Sequence, residues 1–315
     1  MKKTLTRLAA LFLCLGSHNL LAIVKPKTTP ILRLEGDLHN LRTSPQDKHL
    51  AFTDRFGRQL RILSMQSGEV FELSANLIGA SYFWAPDGFR LFYREMYQTE
   101  KDGIESRLMV YDLKLHRNVE LEKIPGSSGF LSFDPQDLRF YLMKEQGILS
   151  RTIVYPDERL ARWQRAKRKQ EGRWILAPQR VLWVTHGGLT MRDLRDDGSG
   201  LQSFDISPDG SSIVWSTQEG KIYFSKSGAE ARHLAEGWDA KWHPTRPLIV
   251  YTHLHKFGGR TVHTNLKMVD IYGRHKDLTR TVNRSERWPI WSYDGRKIYY
   301  TIEQSTDLFA MDFEP

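Results

Sequence analysis

Short runs of alternating apolar and polar residues recur along this chain, and the same turn precedes each of them. The clearest copy is ISPDGSSIVWST at 206–217, with a small or polar residue, a proline, an Asp-Gly turn and then an alternating strand. WAPDGFRLFYRE at 84–95, FDPQDLRFYLMK at 133–144, WHPTRPLIVYTH at 242–253 and WSYDGRKIYYTI at 291–302 repeat it. TSPQDKHLAFTD at 43–54 and LAPQRVLWVTH at 176–186 are weaker copies, which brings the number to seven. The anchors Pro45, Pro86, Pro135, Pro178, Pro208, Pro244 and Tyr293 lie 41, 49, 43, 30, 36 and 49 residues apart. That period suits a four-stranded propeller blade of about 40–50 residues. Proline presets φ at the turn, Asp-Gly supplies a permissive backbone, and the alternation buries one face of each strand.

A second apolar strand follows each anchor: LRILSM from Leu60, LMVYDL from Leu108, TIVYPD from Thr152, LTMRDL from Leu189, KIYFSK from Lys221, LKMVDI from Leu266 and LFAMDF from Leu308. Each unit therefore predicts an inner strand before the proline, a second strand after the turn and a third after a longer loop. Segments such as GEVFELS and NVELEKI supply a fourth. The aromatics Trp84, Phe133, Trp242 and Trp291 just before the turns are expected to pack between blades. The last unit stops after its third strand, and ILRLEG at 31–36 is expected to complete it and close the ring. The expectation is an all-β, seven-bladed propeller. Six blades stay open as an alternative, because the copy at 176–186 lacks the Asp-Gly turn and its unit spans only 30 residues.

At the N-terminus, Lys2, Lys3 and Arg7 precede an apolar run, and Ala22 offers a small residue for cleavage. This predicts a secretory signal peptide over 1–22, a short linker over 23–30 and one propeller domain over 31–315, with a basic insertion at about 157–173. The apolar run is far shorter than the ~20 residues of a membrane-spanning helix, so a periplasmic location with no transmembrane segment is expected. The single cysteine, Cys14, falls within the leader and is preceded by Leu13, which disfavours a lipoprotein anchor. The net charge is +9, and setting aside the three leader cations leaves +6. Such a balance favours acidic partners and says nothing about fold.

The anchor sequences W-A-P-D-G, I-S-P-D-G and W-S-Y-D-G, each followed by a strand and then by a second apolar strand, which carries a closing Asp in LMVYDL and LFAMDF, resemble the TolB-type, WD-repeat-like propeller family. The resemblance spans about 31–315 and implies a binding or scaffolding role in the cell envelope. The α/β domain that precedes the propeller in TolB is not expected here, so membership of the Tol-Pal machinery does not carry over. The repeats also resemble the propellers of prolyl-oligopeptidase-type enzymes, but there is no hydrolase domain or G-x-S-x-G elbow. Oligogalacturonate lyases, which resemble this propeller type and use a histidine-held metal, supply the enzymatic alternative.

Three groups of residues are candidate sites. One register just upstream of the anchors places His39, Asn40, Ala80, Ser81, Gly129, Phe130, Gln202, Ser203, Trp238, Asp239, Arg287 and Trp288 at the channel mouth. Two tryptophans among polar groups suit a peptide or glycan. The segment 159–173 carries Arg159, Arg162, Arg165, Lys167, Arg168, Lys169 and Arg173 against one acid, Glu171, and could dock an acidic surface. Export argues against nucleic acid as the partner. His253, His255 and His263 form a cluster without an established metal spacing and serve only as the alternative metal site. The turn DLRDDGSG at 193–200 lacks the remaining ligands of a calcium loop. These observations favour a non-catalytic, cofactor-free propeller that binds an envelope protein or peptide. The alternative is a metal-dependent lyase or another glycan-acting propeller.

Overall fold

The computed structural model describes residues 25–26, 30–34, 38–79, 82–85, 87–99, 103–124, 131–134, 139–144, 147–152, 172–177, 180–185, 188–193 and 200–314. The leader with Cys14, Ala80, Ser81, Gly129, Phe130 and the basic residues Arg159, Arg162, Arg165, Lys167, Arg168 and Lys169 lie outside them. The described strands form antiparallel sheets in chain order, and the helical content is one 3-10 turn at Pro45–Asp47. The first sheet contains His39–Thr43, His49–Thr53, Leu60–Ser64 and Val70–Ser74. The second contains Tyr82–Trp84, Arg90–Gln98, Ile104–Asp112 and Arg117–Ile124. Three strands make the third (Leu131–Asp134, Arg139–Lys144, Gly147–Thr152) and three the fourth (Gly172–Ala177, Arg180–Thr185, Gly188–Asp193). The fifth holds Leu201–Ile206, Ser212–Thr217, Lys221–Lys226 and Arg232–Glu236. The sixth holds Trp238–Trp242, Leu248–Phe257, Arg260–Asp270 and His275–Asp277. The seventh combines Glu286–Trp291, Lys297–Ile302 and Asp307–Asp312 with the short N-terminal strands Lys25–Pro26 and Leu32–Arg33.

The architecture is an all-β propeller, but the expected seven, or six, complete blades are corrected to five. Only the first, second, fifth, sixth and seventh sheets have the four or more strands of a full blade among the described residues. The third and fourth are each followed by a stretch without an apolar alternation: the basic segment in one case, DLRDDGSG in the other. The third strand of the third repeat is also corrected, from TIVYPD to Gly147–Thr152. Lys144 pairs with Gly147, so a two-residue hairpin starts this strand at once and leaves Pro156 beyond it. At the ring closure, Leu32 pairs with Leu308 and Arg33 with Asp307, as ILRLEG led us to expect. The ion pair Arg33 Nε to Asp307 Oδ1 at 3.1 Å reinforces that pairing.

Alternation along each strand sends side chains to two different neighbours. On the second strand of the first sheet, Leu50 and Phe52 join Tyr299, Leu308 and Ala310 of the seventh sheet, whereas Ala51 between them joins Tyr82, Trp84 and Leu91 of the second. Comparable clusters join the fourth sheet to the fifth, the fifth to the sixth and the sixth to the seventh. Ser212–Thr217 is therefore buried along its whole length.

The turn aromatics lock adjacent blades. Trp84 Nε1 donates to the Arg42 carbonyl at 3.0 Å, and Trp291 Nε1 donates to the Lys241 carbonyl at 3.2 Å, each reaching the inner strand of the preceding sheet. Beneath them, Ser44, Ser207 and Ser292 each accept the backbone N–H that opens the second strand, at 2.8–2.9 Å. In the sixth sheet His243 stands at this position. Its Nδ1 accepts from the Thr245 and Arg246 backbone N–H groups at 3.1 Å, which leaves Nε2 to donate to the Gly295 carbonyl at 3.2 Å. Those bonds require the neutral ring, and burial holds its pKa at about 4. Gly295, at φ +71°, admits the ring because a Cβ there would overlap it.

Trp291→Ala should lower stability by about 3–5 kcal/mol, and Trp291→Phe, which loses chiefly the indole hydrogen bond, by about 1 kcal/mol. Urea denaturation checks both. The neutral His243 adds stability that is complete above the ordinary value of 6.5 and falls as pH drops through 6.5 towards 4, because the unfolded chain takes up this proton first. The urea midpoint should therefore fall more between pH 7 and pH 4 in the native protein than in His243→Gln. Parallel curves would contradict the assignment.

Candidate channel-mouth site

The inner strands of the fifth, sixth, seventh and first sheets pack successively against one another, so they line the axis of the ring. In three of them the start of the strand is bulged in the same way. Pairing skips from His39 to Arg42, from Trp238 to Lys241 and from Arg287 to Ile290. Asn40, Asp239 and Trp288, each five residues before its anchor, have φ of 54°, 56° and 55°. A left-handed backbone is uncommon for residues other than glycine and marks strain that the surroundings must hold in place.

A threonine at the end of the second strand faces each bulge. His39 pairs with Thr53, Trp238 with Thr252 and Arg287 with Thr301, and all three threonines are buried. Asn40 Nδ2 donates to Thr53 Oγ1 at 2.9 Å, and Thr252 Oγ1 donates to Asp239 Oδ2 at 3.1 Å. Tyr82 of the second sheet donates its hydroxyl to the Asn40 carbonyl. Sequence reasoning did not single out these threonines, although the copies HLAFT, LIVYT and KIYYT all display them.

The mouth residues of these adjacent sheets form one continuous group. The His39 and Trp288 rings lie 4.8 Å apart. The Arg287 guanidinium sits between two indoles, 5.1 Å from the Trp238 ring centre and 5.2 Å from that of Trp288. Asp239, almost fully buried, accepts from Gln202 Nε2 at 3.3 Å and lies 3.8 Å from Arg287 Nε. Gln202 Oε1 in turn accepts from Ser216, whose hydroxyl is 2.6 Å from that of Ser203. The structure thus brings together His39, Asn40, Gln202, Ser203, Trp238, Asp239, Arg287 and Trp288. Deeper in the channel, Lys241 Nζ contacts the Phe204 carbonyl at 3.4 Å, and burial foremost pushes its pKa down.

The histidine cluster sits elsewhere, on the long hairpin of the sixth sheet. His255 pairs with His263, and their rings stack at 4.1 Å with planes 12° apart. One ion cannot lie in two parallel ring planes 4 Å apart, so this pair does not converge on a metal as it stands. His253 Nδ1 is engaged with the Glu236 carbonyl at 3.0 Å. Among the described residues no group of three or more His, Cys, Asp or Glu side chains is arranged to hold a metal ion. Arg173 lies on the inner strand Gly172–Ala177 of the fourth sheet.

No protein-family model matches the chain, and no curated protein matches it in sequence. Among solved structures, a putative TolB from Agrobacterium tumefaciens aligns at TM-score 0.51 and 13% identity, covering 90% of this chain and 93% of that one. The fold is TolB-like. TolB from Acinetobacter baumannii aligns at TM-score 0.45 and 15% identity over 87% of this chain and 63% of its own. An oligogalacturonate lyase in complex with manganese aligns at TM-score 0.45 and 16% identity, with coverages of 87% and 76%. Likenesses at these identities speak to the fold alone. Among the described residues no helix is long and apolar enough to cross a membrane.

Asp239→Ala should cost about 1–3 kcal/mol, because it strands the Thr252 hydroxyl and the Gln202 amide in a buried setting. Asp239→Asn keeps a side chain that tolerates the left-handed backbone and should cost less. Thermal and urea unfolding of the two variants check the order.

Proposed function

We propose that this chain is a non-catalytic binding propeller of the cell envelope, exported to the periplasm by its leader. It takes a peptide or an exposed segment of an envelope protein at the channel mouth. The observation that carries the reading is the continuous group His39–Trp288–Arg287–Trp238 over three adjacent sheets. Tryptophan and arginine dominate the binding energy of protein interfaces when they sit at a well-packed centre, and here both rest on a buried, hydrogen-bonded floor. The left-handed residues Asn40, Asp239 and Trp288 fit this reading, since strained backbone is concentrated where a site must be shaped in advance. The basic segment 159–173 serves as a second contact, drawing an acidic face of the partner towards the ring. This function needs no cofactor. The stacked geometry of His255 and His263 gives the lyase reading no specific support.

Capture of partners from envelope extract should separate the two surfaces. The double variant Trp238→Ala/Trp288→Ala should reduce recovery of a stoichiometric partner at least tenfold. Arg165→Ser/Lys167→Ser/Arg168→Ser/Lys169→Ser should slow association and weaken its dependence on salt. A partner retained at full yield by the double tryptophan variant, with unchanged cross-linking to the mouth, would sink the channel-mouth reading.

A further inference from the structure

We infer that the ligand taken at this mouth carries a carboxylate, received by Arg287 between the two indoles with Lys241 and Arg42 behind it. The inference rests on the mouth being the binding site and narrows the chemistry of what binds there.

Among the described residues no acceptor lies within hydrogen-bond distance of the Arg287 fork. Its nearest carboxylate oxygens, Asp239 Oδ2 and Glu303 Oε1, are 3.8 and 3.9 Å away, beyond hydrogen-bond distance. Arg287 Nε is buried and has no hydrogen-bond partner among the described residues. Asp239 cannot close in without giving up its own partners, because one oxygen accepts from Gln202 and the other from Thr252. Glu286, next in sequence, is turned away and accepts from Thr279 and Thr281. A guanidinium set between two rings, with its Nε buried and no acceptor within hydrogen-bond distance among the described residues, suits a planar anion received in two-point fashion.

Two further cations lie on the neighbouring inner strands. Lys241 and Arg42 stand two residues beyond Asp239 and Asn40 on the sixth and first sheets, with the seventh sheet and Arg287 between them. Beyond burial, which lowers it most, the positive charge of Arg42 also lowers the Lys241 pKa. Asp205 and Asp239 oppose it, but Asp205 Oδ2 is occupied by the Trp242 backbone N–H at 2.8 Å. The Lys241 ammonium is near two carboxylates, Asp239 with both oxygens engaged and Asp205 with one. A carboxylate brought by a ligand would meet the Arg287 donors, which have no acceptor within hydrogen-bond distance among the described residues, and the indoles would cover its apolar neighbours.

Calorimetry with four short probes and inorganic phosphate tests this. Acetyl-Ala-Ala-Phe-Ala is used with a free and with an amidated C-terminus, and amidated acetyl-Ala-Asp-Phe-Ala is compared with its Asn counterpart. The expected result is at least tenfold tighter binding of a carboxylate form than of its neutral twin. Which pair shows the preference tells a chain terminus from an acidic side chain, and phosphate should compete only weakly. The preference should vanish in Arg287→Gln, shrink in Arg287→Lys and fall severalfold in Lys241→Gln, with urea midpoints confirming that the variants are folded. Equal binding of both twins through the mouth would overturn the carboxylate inference and leave the mouth reading intact. A preference that survives in folded Arg287→Gln, or no binding of any probe, would overturn the inference as well. The mouth reading is decided separately by the tryptophan double variant.

Discussion

Each of the five full sheets of this protein is apolar on both faces, and no sheet can bury both by itself. That constraint forces the ring. A strand such as Ser212–Thr217, buried along its length, has a neighbour on either side only because the sheets fan around an axis, and the last must meet the first. The tryptophans before two of the turns make the arrangement specific. Trp84 and Trp291 fill the wedge between blades and hydrogen-bond to the preceding inner strand, which fixes how far one sheet is displaced along the next. Apolar burial alone would tolerate sliding, and a directional N–H bond at the wedge does not.

That fixed displacement aligns the bulged strand starts at the mouth. Asn40, Asp239 and Trp288 occupy one level on three sheets, so a contact made between sheets, such as His39 with Trp288 or Arg287 with Trp238, is as well positioned as one within a sheet. The buried threonines Thr53 and Thr252 then hold the strained backbone from below. The chain thus uses its repetitive scaffold to place residues that are not themselves repeated: histidine and asparagine on one sheet, tryptophan and aspartate on another, arginine and tryptophan on the third.

Much of the fold was legible because its cause is local. Proline, Asp-Gly and strict alternation report directly on turn and strand, and the residues 31–33 that pair with Asp307–Asp312 are apolar enough to be recognised as a missing strand. The outer strands were less legible, since a blade's outermost strand is half solvated and carries a weak pattern, as the exposed alternation of Val70–Ser74 shows. The shift of the third repeat's third strand to Gly147–Thr152 was hidden for another reason: the two residues between Lys144 and Gly147 are Glu and Gln, not the Asn-Gly or Asp-Gly pair that marks such a hairpin. At the site, the register against the anchors identified the mouth residues. It could not reveal the bulge, because a tryptophan such as Trp288 rarely adopts a left-handed φ, and Asn40 and Asp239, which tolerate it, adopt other conformations just as readily. The threonines were in view, but their part depends on pairing across the hairpin, which only the folded strand displays.

The site lies where the ring is closed. Its aromatic and arginine residues come from the sixth, seventh and first sheets, and the seventh is the one assembled from both ends of the chain. A ligand spanning Trp238, Arg287 and His39 would touch both sides of the closing blade, so its binding energy would count towards keeping that blade in place. By mass action, a ligand that binds only the closed ring at a hundred times its Kd would add about 2.7 kcal/mol to its stability. The short N-terminal strands Lys25–Pro26 and Leu32–Arg33, with two residues each on the closing blade and an exposed ion pair at Arg33, are a modest clasp by comparison. Ring closure and recognition are therefore coupled through the seventh sheet: whatever tightens one tightens the other.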